Sequence, residues 1–220
     1  MLINQKIKIV SKNVILVPYR KEHVEKYNKW MQSEELQRLT ASEPLTLAEE
    51  YEMQESWMRD DNKCTFIILD RDIFEKTHNE IEAMVGDTNL FFANEFDHMV
   101  AEAEIMIAET EARGKHIGWQ AMLLMLLYGT SNLDVRQFVV KITRDNVISI
   151  SMFEKIGFVF TSVSDVFNEV TLNRIVDDNW LKWLKSSVGE YDVIKEDEFY
   201  SVFLLFIPFI IITICMFEPR

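Results

Sequence analysis

Residues 101–129 read AEAEIMIAETEARGKHIGWQAMLLMLLYG, and the reading of this stretch decides the fold. Ala101 to Ala108 alternates and then turns fully apolar, the pattern of a strand with one polar edge. Ile117 to Tyr128 is apolar at most positions and meets Gly129, which predicts a long helix stopped there, with Met122, Leu123, Met125 and Leu126 as its buried stripe. Between the two lies Arg113-Gly114-Lys115-His116-Ile117-Gly118. Glycines at a strand-to-helix turn let backbone amides converge on an anion, and the helix N-terminus adds roughly half a positive charge. Arg113 and Lys115 add whole charges. The turn therefore suits a pyrophosphate, or it is a tight connection and nothing more. It matches neither G-x-x-x-x-G-K-S/T nor G-x-G-x-x-G.

Further elements follow outward from this stretch. Val14 to Tyr19 (VILVPY) is a short apolar run near Pro18, read as an edge strand. Glu22 to Gln32 has helical spacing, with Val24, Tyr27 and Met31 on one face. Glu34-Glu35 reads as a solvated turn. Thr46-Leu47-Ala48-Glu49 is a capping box that opens a helix to about Met58. Cys64 to Leu69 and Met84 to Phe92 are apolar runs of strand length, and the polar insert Arg71 to Ala83 reads as a hairpin loop. Phe138 to Thr143 is a strand. Val147 to Lys155 is a short helix with Gly157 just beyond it, and Phe158 to Ser162 and Val166 to Leu172 are strands. Helices interspersed with a mostly antiparallel sheet give an α+β (mixed α/β) class. Trp30, Trp57, Trp180 and Trp183 read as core residues.

The chain has 220 residues and a formal net charge of −13. That length fits one domain with a tail. The acidic balance and the lack of a dense basic run exclude a broad nucleic-acid surface, and they fit a cationic partner such as a free amine. The two cysteines, Cys64 and Cys215, are far apart and in apolar stretches. They form no metal-ligand spacing and no disulfide framework, so no metal is expected and a reducing, cytoplasmic setting is. Residues 176–200 read as an acidic helical or linker segment, solvated from Glu190 to Glu198. Ser201 to Phe217 carries no charge and would span about 25 Å as a helix, interrupted by Pro208. It reads as a membrane anchor, a last packed element, or an appendage foreign to the domain.

A second motif lies downstream: Asn146-x-x-Ser149-Ile150-x-Met152-Phe153-Glu154-Lys155-Ile156-Gly157-Phe158. With Arg113-x-x-His116-x-Gly118, it resembles the paired hallmarks of the GNAT superfamily of N-acetyltransferases, and the spacing through one strand agrees. Leu36 to Leu47 and Lys63 to Ile67 look like the N-acetyltransferase 9-like branch, near the bacterial ribosomal-protein acetyltransferases. The likeness covers residues 4 to 175, and the domain is read as 1–175. It implies a twisted, mostly antiparallel sheet flanked by helices, acetyl-CoA as co-substrate, and a protein or peptide primary amine as acceptor.

Residue by residue, the resemblance implies that Met106 and Ile107 offer main-chain groups to the pantetheine arm, and that an amide there polarises the thioester carbonyl. Arg113, Gly114, Lys115, His116, Ile117, Gly118 and Trp119 would surround the pyrophosphate. Asn146 and Ser149 would line the far side, and Phe153 would pack near the thiol. The chain departs from the family at His116, where glycine is usual, and at Phe153, where many relatives carry a tyrosine acid; phenylalanine has no proton to give. Glu102 and Glu104 share one face of their strand, and Glu104 is the candidate general base. The two departures also fit an alternative: a weak or inactive protein of this fold that binds a protein partner, for example on the cytoskeleton.

Overall fold

The computed structural model describes residues 4–93 and 99–195, which form one nine-stranded sheet with helices on both faces. The strands are β1 (Ile7–Ser11), β2 (Val14–Pro18), β3 (Lys63–Asp70), β4 (Met84–Phe91), β5 (Val100–Ile107), β6 (Gln137–Thr143), β7 (Val159–Ser164), β8 (Glu169–Ile175) and β9 (Tyr191–Lys195). The helices are α1 (Val24–Trp30), α2 (Glu34–Thr40), α3 (Leu47–Arg59), α4 (Arg71–Thr77), α5 (Glu80–Ala83), α6 (Ile117–Asn132), α7 (Val147–Ile156) and α8 (Asp178–Val188). The strand order is β7-β8-β6-β5-β4-β3-β2-β1-β9, antiparallel except where β5 meets β6. The α+β class and the sheet read from the sequence are those observed.

Each face of the sheet has its own core. On one side α6 lies against β2, β4 and β5, with α8 packed on α6. Every residue of α6 from Ala121 to Gly129 is buried, so this helix is buried all round and not along a stripe. Helix α8 buries Trp180, Leu184 and Val188, the spacing of one helical face. On the other side α1 packs on α3, and Val24, Tyr27, Trp30 and Met31 close over Ile15, Val17, Ile67, Leu69 and Met106. Thr46 caps α3 as expected: its hydroxyl accepts from the Glu49 amide (3.3 Å), and the Glu49 carboxylate accepts from the Thr46 amide (2.8 Å).

Several local expectations are corrected. Val14–Pro18 is an interior strand, buried at all five positions between β1 and β3; Pro18 is tolerated because it ends the strand. Its neighbour β1 was hidden by the alternation of lysine with isoleucine and valine. Residues 71–83 are two short helices and not a hairpin, because Asp70 and Asn79 each accept from two amides of the turn that follows. Glu34 and Glu35 open α2, capped by Ser33. Gly129 does not stop α6, which runs on to Asn132. A Cβ on Gly129 would stand 2.7 Å from Leu90 Cδ1 and 3.2 Å from the Phe138 ring, so glycine sets the close approach of helix to sheet. The stretch 176–200 supplies α8, and Tyr191–Lys195 pairs with β1 as β9 where a solvated linker was expected. Ser201 to Phe217 and Cys215 lie outside the described residues. Among those described, no helix is long and apolar enough to cross a membrane.

Gly86 is the tightest point of the sheet. A Cβ there would lie 1.9 Å from the Met106 carbonyl oxygen, which is backbone and cannot turn aside. The register between β3 and β4 also slips at this level, with Ile68 opposite Gly86 and Leu69 opposite Met84. Gly86→Ala should therefore push β5 away and cost about 2 kcal/mol or more, a large effect for one methyl group. Urea denaturation of the two proteins measures it.

Candidate functional site

The site is built on a gap in the sheet. Strands β5 and β6 are parallel partners over Val100–Glu102 and Gln137–Val139, and there the ladder stops. Both continue, β5 to Ile107 and β6 to Thr143, without pairing to each other. The main chain of β5 from Ala103 to Ile107 thus borders a cleft on one side and pairs with β4 on the other. Met106 turns its side chain into the core beneath α1, while Ile107 packs toward α6.

The turn after β5 closes one end of this cleft. A short 3-10 turn, Thr110–Ala112, leads to Arg113, Gly114, Lys115 and His116, all exposed. Arg113 is already engaged: Nε donates to the Ile107 carbonyl (3.0 Å) and a terminal nitrogen to Glu35 of α2 (2.9 Å). Gly114 (φ +75°) takes a left-handed turn in open space. Ile117 is buried, Trp119 packs on the core, and a Cβ on Gly118 would press on Ile107 at 3.1 Å. The first amides of α6 have no intrahelical acceptor, no side chain caps them, and no acidic residue stands in the first turn. That end of the helix is left available to an anion.

His116 is the N-terminal flanking residue of α6, with φ +60°. The family's glycine would sit there without penalty, whereas a side chain in this region costs about 1 kcal/mol. His116→Gly should stabilise the fold by up to about 0.6 kcal/mol, the strain relieved less the extra freedom of the unfolded chain. A thermal or urea midpoint that falls instead would show that the imidazole earns its place by contacts.

On the far side of the cleft, Asn146 caps α7 by accepting from the Ser149 amide (3.2 Å). Gly157 ends that helix at φ +100°. Phe153 is buried and packs edge-on against Phe158, ring centroids 5.1 Å apart. Helix α2, unseen in the sequence, bridges the two sides of the cleft: Glu35 holds Arg113, and Arg38 pairs with Asp145 beside Asn146.

The two strand carboxylates differ. Lys141 of β6 donates to Glu102 (2.6 Å), so that carboxylate is neutralised across the paired end of the strands. The Glu104 side chain makes no hydrogen bond or ion pair among the described residues. Loss of hydration pushes its carboxyl above the ordinary range, Lys63 pulls it down, Glu102 raises it, and Lys141 again lowers it. Its carboxylate stands exposed to solvent, which screens these charges. Cys64 is buried, with its thiol pushed up to about 12 by burial, which leaves it inert. Among the described residues no three His, Cys, Asp or Glu side chains are grouped to hold a metal.

One carboxylate at the site was missed. Asp87 of β4 stands opposite Met106, and its neighbour Asn89 stands opposite Glu104. It is 3% exposed. Asn89 Nδ2 donates to Asp87 Oδ2 (2.7 Å), and Thr65 Oγ1 donates to Asn89 Oδ1 (2.5 Å), so a short polar chain fixes the carboxyl while Oδ1 keeps no partner. Burial pushes Asp87 up to about 7, against the opposing Asn89 hydrogen bond and the pull of Lys63, with Glu104 adding to the rise.

The profile of the acetyltransferase (GNAT) domain family matches residues 13–159. The chain belongs to this family. The acetyltransferase is 52% identical to the N-acetyltransferase 9-like protein of Nematostella vectensis over 191 residues, 86% of this chain and 96% of that one. It is 50% identical to the alpha/beta-tubulin-N-acetyltransferase 9 of Drosophila melanogaster over 192 residues (86% and 96%), and 48% identical to that of Homo sapiens over 187 (84% and 90%). In fold it is similar to the spermidine N-acetyltransferase of Vibrio cholerae solved with CoA and spermine, at a TM-score of 0.66 and 16% identity over 75% of this chain and 96% of that one. The enzyme is thus an acetyl-transferring one, with the fold expected from the paired motifs.

The raised Asp87 carboxyl carries a stability signature. The unfolded chain releases this proton near 3.8 and the folded enzyme holds it to about 7, so folding loses stability as pH rises between those values. The loss is on the order of 4 kcal/mol once both forms are ionised. Asp87→Asn removes the ionisation and should stabilise the enzyme by about 2 kcal/mol or more at pH 8, with the gain shrinking toward pH 4. Melting curves across that range check the sign.

Proposed function

We propose that this enzyme transfers an acetyl group from acetyl-CoA to the primary amine of a protein or peptide, at an N-terminus or a lysine. The observation that carries the reading is the cleft where β5 and β6 part, closed at one end by the uncapped start of α6. An extended pantetheine arm fits beside Ala103 to Ile107 as an added strand would, and the pyrophosphate fits over Arg113 to Trp119. Gly86 supports this fit: it holds the Met106 carbonyl close where any Cβ would drive β5 into the cleft. In this reading Asn146 and Ser149 border the cofactor's far side. Two relatives named for α- and β-tubulin make tubulin the first acceptor to try. We also infer a reducing, cytoplasmic setting, in keeping with the free thiol of Cys64.

The chemistry follows from the groups present. The acceptor arrives as an ammonium and gives one proton to Glu104, directly or through water. The nitrogen lone pair then forms the C–N bond to the thioester carbon, whose oxygen is held by a β5 amide. The C–S bond breaks with its electron pair on sulfur. The second nitrogen proton reaches the thiolate through water, since Phe153 has no hydroxyl to offer.

The test is acetylation of a peptide and tubulin panel, read by mass spectrometry. Glu104→Gln should lower turnover at least about tenfold, as for a lost base, with acetyl-CoA affinity by calorimetry unchanged. An unaltered rate rejects that role. Acetyl-CoA bound by His116→Gly and not by the native chain would reject cofactor use by the natural sequence.

A further inference from the structure

Beneath α1 and α3, on the face that bears Glu104, three buried oxygens lack a hydrogen-bond partner: Tyr19 Oη, Glu50 Oε1 and Asp87 Oδ1. They come from separate elements, the end of β2, α3 and β4, and each residue is nine-tenths or more buried. The three are close enough for Glu50 and Asp87 both to push the Tyr19 phenol above its ordinary range, after burial itself. The Tyr27 ring of α1 lies 5.1 Å from that of Tyr19, and its phenol is pushed up by burial first and then by the same carboxylates. Each carboxyl has one neutral donor, Asn89 to Asp87 and Asn28 to Glu50, and its other oxygen has none, so its buried charge is disfavoured unless something positive meets it. The cations nearby are already in use. Lys63 lies 3.8 Å over the Trp57 ring, and Lys26 donates to the Ile81 and Met84 carbonyls at 2.9 Å. On its other side Tyr19 borders a cavity of about 20 Å³, room for one water, together with Gln54, Trp57 and Thr65.

We propose that Asp87, with Glu50 and Tyr19 beside it, is the subsite that receives the primary ammonium of the acceptor. The inference rests on the acetyl-transfer reading above and adds to it where the amine docks. An ammonium brings three donors and a positive charge to acceptors that have neither, and tyrosine rings favour a cation near their faces. The place is suitable. Asp87 of β4 is opposite Met106 of β5, and Glu104 is two residue pairs along on the same face, so an amine leaving Asp87 meets the carboxylate at the cleft edge. Asn89 and Thr65 hold the Asp87 carboxyl so that Oδ1 is the oxygen left to bind. The charged and titratable groups around it are Glu104 and Lys63 on the flanking strands, Tyr19, Tyr27 and Glu50.

Two measurements test this. The first needs no turnover: the Asp87 carboxyl is followed by carbon NMR as pH is raised, with and without n-butylammonium. The amine should lower the Asp87 midpoint by about one pH unit or more, as an opposite charge in contact does. A midpoint that ignores the amine overturns the subsite whether or not the chain acetylates anything. The second uses the best acceptor of the peptide panel. Asp87→Asn should raise its KM about tenfold or more and remove the inflection near neutral pH from kcat/KM, with acetyl-CoA affinity unchanged. Glu50→Gln should raise KM in the same direction. An unchanged KM and pH profile in Asp87→Asn, with Glu104-dependent turnover intact, overturns the subsite and leaves the acetyl-transfer reading standing. Loss of acetyl-CoA binding in Asp87→Asn would mark a structural role and overturn it as well.

Discussion

The structure depends on one unfinished ladder. Strands β5 and β6 run parallel, pair for three residues, and part company after Glu102 and Val139. A parallel pair needs a long crossover, and here it is α6, whose start lies at the mouth of the gap. The same break exposes the β5 main chain, directs an uncapped helix end at it, and brings α7 to its other side. Buried backbone groups must find partners, so a cleft lined by strand edge is a demand for an extended ligand. Had the ladder continued to Ile107, β5 would have been satisfied and there would be no place for a substrate.

The pieces that hold this break open are local and costly. Gly86 is the residue without which β4 and β5 could not lie so close at Met106. Glu102, at the last paired level, holds Lys141 two residues beyond that level on β6, and this 2.6 Å charge-assisted bond marks the fork. Helix α2 then ties the two lips of the cleft through Glu35 to Arg113 and Arg38 to Asp145. These surface pairs add little to stability singly. Their role is geometric: the same small helix registers both family motifs against each other.

Much of this was legible in the sequence, for reasons of pattern. Long apolar runs with clear ends, the Thr46 capping box and the paired motifs at 113–118 and 146–158 each have a local cause, so local reading finds them. The failures have a common source too. Strand β1 alternates polar and apolar residues over only five positions and is set by its pairing with β2, and the exposed β9 is a strand because β1 is there. The Asp70 and Asn79 caps turned a polar insert into helices, a signal that was present and passed over. Gly129 looked like a stop because glycine often is one, whereas here it serves the packing of Leu90 and Phe138.

Asp87 was missed for a deeper reason. In the run Met84 to Phe91 it reads as one of three polar residues, with Thr88 and Asn89, in a buried strand, and nothing local says which face it joins. The register says it: Asp87, Asn89, Glu102 and Glu104 all fall on the face of α1 and α3. Asp87 and Asn89, at the strand period on β4, are a polar pair buried inside an apolar layer, with Glu102 and Glu104 of β5 at its edge. Proteins seldom bury such a field without using it, because its desolvation is set against a small net stability. The orphaned oxygens of Asp87, Glu50 and Tyr19 are therefore better understood as a site held ready than as a flaw in the core. The same trade is visible at His116, where backbone strain sits beside the helix end that would meet the cofactor. Both costs fall within one strand or one turn of the cleft, and the apolar cores on either face of the sheet are what the fold sets against them.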